Sequence, residues 1–150
     1  MKKINIICAG KLKEKYFADA AGEYAKRLSR HCEFNVIEVP DYPDAHEAAA
    51  REGRHMQPYL NRGFNVVTDI GGTLLTSEEL SRAVDKAYIT NSEVNFFIGG
   101  STGLCDNVKA AANMTLSFGR LTYPHQLMRV MLAEQIYRVF CIGAGLRYHK

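Results

Sequence analysis

The sequence predicts an α/β fold, a mostly parallel sheet with flanking helices. Short β-branched runs alternate with amphipathic helical stretches along the whole chain. Several of those runs also leave through glycine-rich turns, as strands do when they hand the chain to a helix. The 150 residues, 47% hydrophobic and 23% charged, suit one domain spanning 1–150 with a core of its own.

Residues 4–8 are apolar and closed by Gly10, which fits a buried first strand. The start is basic then apolar like a signal peptide, but Lys11, Lys13, Glu14 and Lys15 follow at once, so it reads as the first strand of a cytoplasmic protein. Phe17, Ala20, Ala21, Tyr24 and Leu28 recur at helical spacing, with Glu23, Lys26, Arg27 and Arg30 opposite. Residues 34–39 form a second strand, stopped by Pro40. Asp44 is a predicted N-cap with Glu47 three residues on, opening a helix from 45 to about 61 that breaks near Pro58. Residues 65–69 are a third strand with Gly71 and Gly72 as its sharp exit. Thr76-Ser77-Glu78-Glu79 is a second capping box, starting a helix to about Tyr88. Residues 94–98 are a fourth strand, 108–112 a short helix, 114–118 a fifth strand and 126–142 the last helix.

That last helix carries Leu127, Met128, Val130, Met131, Leu132, Ile136, Val139, Phe140 and Ile142 around its whole circumference. A helix apolar on all sides has no solvent face, and one sheet cannot cover every side, so the spare face predicts a homodimer. Glu134 and Arg138 stand at i,i+4 spacing, within pairing distance in one helix or across that surface.

No apolar run approaches the roughly 20 residues of a membrane span. The four cysteines form no CxxC pair, which disfavours both a disulfide framework and a metal site. A net charge of +3 permits an anionic partner without demanding one. GxGxxG, the P-loop, GxSxG and HExxH are all absent. What remains is a set of glycine-rich strand exits at 69–72, 99–103 and 119–124, and in an open parallel sheet such exits gather where ligands bind. Together they predict a nucleotide-sized site. His125 and Arg129 begin the last helix on one side, and Tyr148, His149 and Lys150 end the chain with a ring, a titratable group and a cation.

Six strings make a resemblance. Gly10-Lys11-Leu12-Lys13-Glu14-Lys15-Tyr16 comes first, then Phe97-Ile98-Gly99-Gly100-Ser101-Thr102-Gly103-Leu104. Last is Leu116-Ser117-Phe118 with Leu121 to Val130, followed by Glu134-Gln135-Ile136-Tyr137-Arg138 and the Tyr148-His149-Lys150 end. In this order they closely resemble the bacterial large-subunit ribosomal RNA pseudouridine N3-methyltransferases of the SPOUT class. The resemblance implies a SPOUT domain with a C-terminal trefoil knot, an obligate homodimer, S-adenosylmethionine as cofactor and 23S ribosomal RNA within the ribosome as substrate, with no part for DNA or membranes. It implies a cofactor site of Thr68, Gly100, Gly119, Arg120, Leu121, Thr122, Tyr123 and Pro124, and His125, Arg129, Tyr148 and His149 as catalytic candidates, the tail of one subunit reaching the cofactor of the other. Thr68 stands where the family often has leucine, and Gly119-Arg120 where serine and another residue are common. RNA contacts would come from among Lys2, Lys3, Lys11, Lys13, Lys15, Arg27, Arg30, Arg120, Arg147 and Lys150. Two other readings stay open: a flavodoxin-like nucleotide module, and a non-enzymatic RNA-binding or ribosome-associated factor.

Overall fold

The computed structural model describes residues 1–43 and 45–150. Five parallel strands form one sheet in the order β2-β1-β4-β3-β5: β1 Lys3–Ala9, β2 Glu33–Val39, β3 Phe64–Leu74, β4 Glu93–Ile98 and β5 Met114–Ser117. The helices are α1 Lys15–Leu28, α2 Ala48–Met56, α3 Ser77–Thr90, α4 Asp106–Ala110 and α5 His125–Gly143. None is long and apolar enough to cross a membrane.

The period-two alternation of each strand sorts the core into two layers. Ile4, Ile6, Cys8, Val66, Val94, Phe96 and Leu116 face α1, α3 and α5, and meet Leu28, Leu80, Val84, Leu132 and Ile136. Ile7, Val67 and Phe97 face the other way, onto Met56, Leu60 and Val108. On that second face an asparagine ladder ties four neighbouring strands. Asn35 donates to Asn5 (3.1 Å), Asn5 to Asn95 (2.7 Å) and Asn95 to Asn65 (3.3 Å). Buried amides must find partners, and these meet only when the strands are in register, so the ladder penalises any one-residue slip.

Three expectations shift. The N-cap at Asp44 lies outside the described residues, and α2 begins at Ala48 behind Glu47 in the left-handed conformation (φ 56°); it ends at Met56 and Pro58 sits in a single 3-10 turn, Gln57–Tyr59. The strand β3 does not stop at Asp69. It bulges between Thr68 and Thr73, runs through Gly71 and Gly72 and rejoins β5, because the Ser117 hydroxyl holds the bulge by donating to the Ile70 carbonyl (3.0 Å). The short helix α4 begins at Asp106, ahead of Val108. The second capping box is as expected: the Thr76 side chain accepts from Glu79 N, and Glu79 accepts from Thr76 N.

The last two elements position the site. The strand β5 is at the sheet edge beside β3, yet α5 packs between α1 and α3 over the middle of the sheet. Residues 118–124 therefore cross back over the ends of β3 and β4.

Candidate cofactor site

That crossing closes a cavity of about 270 Å³ at the carboxyl ends of the strands. Its walls come from the three exits read in the sequence: Thr68, Asp69 and Ile70 of β3, Ile98 to Ser101 with Gly103 after β4, and Gly119, Leu121, Thr122, Tyr123 and His125 on the return. Leu116, Phe118 and Met128 add an apolar floor that the glycine pattern did not announce. Periodicity marks such residues only as core, since a wall residue and a core residue look alike in a sequence.

Much of the wall is main chain. None of the N–H groups of Arg120, Leu121, Thr122 and Tyr123 donates to another backbone carbonyl among the described residues. The first turn of α5 adds amides that a helix start cannot satisfy internally. The cavity is thus bordered by a segment whose N–H groups no backbone carbonyl takes up among the described residues, a surface suited to the edge of a flat heterocycle. The β4 exit is as tight as it can be: a Cβ on Gly99 would meet the Gly103 carbonyl carbon at 2.4 Å, and one on Gly100 the Glu52 carboxylate at 2.9 Å. Glu52 was missed by the sequence reading. It is buried, accepts from Tyr42 N (2.9 Å) with one oxygen and holds the other against Gly100 with no partner among the described residues. No motif signals it, because only the fold brings α2 under that turn. The Thr68 hydroxyl donates to the Phe97 carbonyl (3.0 Å) and so locks β3 to the end of β4.

The cofactor residues drawn from the resemblance thus divide. Thr68, Gly100, Gly119, Leu121, Thr122 and Tyr123 line the cavity, whereas Arg120 and Pro124 belong to the same segment without lining it. The catalytic candidates divide further. His125 lines the cavity at the start of α5. Arg129, one turn on, is 3% exposed and points elsewhere: its guanidinium donates to Glu38 (2.6 Å) and to the Gly10 carbonyl (2.7 Å). Tyr148 and His149 fold back on their own subunit. The Tyr148 hydroxyl donates to Glu134 (3.0 Å), its ring meets Tyr137 edge-on at 4.8 Å, and His149 sits between Arg138 and Glu78. Burial and that bond to Glu134 push the Tyr148 phenol up to about 12, so it stays protonated at neutral pH.

A second, larger cavity of about 560 Å³ shares the wall from Leu116 to Gly119. It is open and apolar, lined by Tyr24, Leu74, Leu75, Leu80, Val130 and Met131 among others, with Glu134 and Gln135 at its edge.

The predicted SPOUT methyltransferase model matches residues 1–149. The chain belongs to the SPOUT methyltransferase family. Among curated relatives, the ribosomal RNA large subunit methyltransferase H of Caldicellulosiruptor saccharolyticus is 42% identical over 98% of this chain and 99% of its own length. The protein of the same name from Streptococcus pneumoniae is 44% identical over 99% of each. Among solved structures, a probable methyltransferase from Bordetella pertussis Tohama I superposes with a TM-score of 0.60 at 12% identity, covering 93% of this chain and 96% of that one. A Legionella pneumophila methyltransferase-like structure in complex with bound SAM superposes at 0.50 and 9% identity, over 95% and 66%. These two likenesses concern the fold, which is the SPOUT arrangement described above.

Proposed function

We propose that the protein is an S-adenosylmethionine-dependent methyltransferase that modifies N3 of a pseudouridine in 23S ribosomal RNA on the assembled ribosome. Residues 1–150 serve as one cytoplasmic SPOUT domain. Full-length relatives above 40% identity carry the ribosomal RNA methyltransferase name. The single observation that carries the reading on this chain is the cavity at the strand ends, whose donors are main-chain amides. Such a surface fits an adenosine with no phosphate to cradle, in keeping with the absence of a P-loop. The segment 119–124 is its binding loop, and in this reading it belongs to the C-terminal trefoil knot that the family resemblance implies.

The cofactor supplies an already electrophilic methyl group, so the protein has to align, dry and deprotonate rather than activate. Thr68 and Glu52 brace the turns that shape the cavity, and Leu116, Phe118 and Met128 exclude water from its floor. His125, at the rim, is the candidate to take the imide proton from N3. Arg129 is a positioning residue, since its guanidinium is already committed to Glu38 and Gly10.

The second cavity supports the homodimer. Val130 and Met131 are half-buried and Leu74 is 65% exposed around it, which is the spare face foreseen for α5. Completing the burial of such half-buried side chains on a second copy contributes about 1 kcal/mol each, roughly half of what full burial contributes. In that reading the Tyr148-His149-Lys150 tail serves the neighbouring site; within one subunit Tyr148 reaches the edge of the same cavity through Glu134.

The test is transfer from radiolabelled S-adenosylmethionine to ribosomes lacking the modification, against free 23S RNA. A methyl on N3 blocks base pairing, so a reverse-transcription stop locates it. Transfer to ribosomes with one stop at a pseudouridine is expected. Folded protein that neither binds the cofactor nor labels ribosomes would sink the reading, and equal labelling of free RNA would remove the assembled ribosome from it.

A further inference from the structure

The turn between β1 and α1 is exposed yet fixed from below. Gly10 takes φ +86° with the Asp41 carboxylate packed where a side chain would be, and its N–H donates to the Val39 carbonyl (2.8 Å). Its own carbonyl accepts from the buried Arg129, which also holds Glu38 on β2. Three residues on, Lys13 N donates to the Gln126 side chain (3.1 Å). Both ties come from the first two turns of α5, and Gln126 follows His125, which lines the cavity. The turn is therefore strapped to the mouth of the proposed cofactor site.

Its outer surface has a definite chemistry. Lys11, Lys13, Glu14, Lys15 and Tyr16 are exposed, the Tyr16 ring by 64%. Lys15 is paired with Asp19 (2.7 Å), Glu14 occupies the N-cap position of α1, and Asp41 lies beneath Gly10. Lys11 and Lys13 have no carboxylate within pairing distance among the described residues. A solvated loop needs no buried guanidinium to hold its root. Arg129 is withdrawn from water, and its Nε has no partner among the described residues. Burying a guanidinium carries a desolvation cost that only its pairing with Glu38 and the Gly10 carbonyl offsets, so the tie holds the loop root in one geometry.

We propose that residues 11–16 are a preset RNA-binding arm. Lys11 and Lys13 take backbone phosphates beside the methylated nucleotide, and the Tyr16 ring stacks on a base. Lysines meet phosphate, and an exposed ring gives sequence-tolerant stacking. Fixing the loop in advance removes the entropy that a mobile one would lose on binding. The inference rests on the ribosomal RNA methyltransferase reading, and it selects among that reading's basic residues.

The experiment measures S-adenosylmethionine affinity by calorimetry and methyl transfer to ribosomes across a salt series. The variants are Lys11→Ala/Lys13→Ala, Tyr16→Ala, Gln126→Ala, and Arg82→Ala/Lys86→Ala, which removes the same charge from exposed α3. The lysine pair is expected to raise KM for ribosomes about tenfold and to lower the slope of log(kcat/KM) against log salt by about 1.5, with cofactor affinity unchanged. Tyr16→Ala raises the same KM without altering the slope. Gln126→Ala raises it less, with kcat held. The α3 pair changes nothing. Equal losses in both charge-removing pairs, or an unchanged KM and slope in Lys11→Ala/Lys13→Ala while the wild-type protein labels ribosomes, would overturn the arm. Wild-type protein that labels no ribosomes would instead remove the parent reading, and the arm with it.

Discussion

Two cavities share one wall and are built from opposite materials. The cavity at the strand ends is formed by turns and unpaired amides, with glycines where a Cβ would collide. The cavity beside it is formed by Leu74, Leu75, Leu80, Val130 and Met131, with almost nothing polar beyond Glu134, Gln135 and the capping residues Thr76 and Ser77. Main-chain donors recognise the edge of a small polar molecule, whereas an open bed of aliphatic side chains discriminates by shape and burial, as a protein surface does. Size therefore does not rank the two: in the function proposed above the smaller takes the cofactor, and the larger takes the second subunit.

The largest expected effect breaks the side-chain cavity. Val130→Asp/Met131→Asp places two charges where a second copy would bury two half-buried apolar groups, and should convert the proposed dimer to monomer by sedimentation, a loss of at least about 2–3 kcal/mol of association. A dimer that persists unchanged would move the interface elsewhere. The main-chain cavity is broken by Gly100→Ala, whose new Cβ would meet the Glu52 carboxylate at 2.9 Å. Cofactor affinity should fall at least about tenfold by calorimetry, about 1.4 kcal/mol, with the dimer intact. Normal binding in that variant would show that the cofactor does not need the turn at 99–103.

A smaller effect sharpens the contrast between the sheet's interior and its rim. Burial pushes the Cys8 thiol up to about 11, partly offset by the Arg129 charge, and burial does the same for Cys32. A thiol whose pKa is raised in the folded state contributes its stability in full below about pH 9. That stability is lost as pH rises through about 11. Thermal stability should therefore decline between pH 9 and 11, and less steeply in Cys8→Ala. A fall of equal steepness in the variant would assign the alkaline transition to other groups.

How much of this was legible beforehand varies by element. The alternation of strands and helices, the capping box at Thr76 and the glycine turns after β4 and at Gly119 all rest on local rules, and each stands in the structure. The break at Pro58 was seen, though α2 proved shorter. The continuation of β3 past Asp69 was not legible, because Gly71 and Gly72 read as a turn until Ser117 on another strand holds the bulge. Arg129 stood among the catalytic candidates through the family resemblance, and its spacing put it on one side of the helix with His125. The one-turn separation was right, but the side chain reaches Glu38 and Gly10, which lie more than ninety positions away in the chain.

By itself, then, the sequence determined the fold class, the places where the backbone can turn sharply, the all-round apolarity of α5 and the family. These are properties of neighbouring residues, set by steric freedom, periodicity and order. Tertiary structure alone decided the strand order, the return of residues 118–124 from the sheet edge to its centre, the separation of two cavities by one wall, and the partners of Glu52, Arg129 and Tyr148. Those depend on which distant segments meet. A buried carboxylate or guanidinium takes whatever partner the fold brings within about 3 Å, and nothing in its own neighbourhood names that partner in advance.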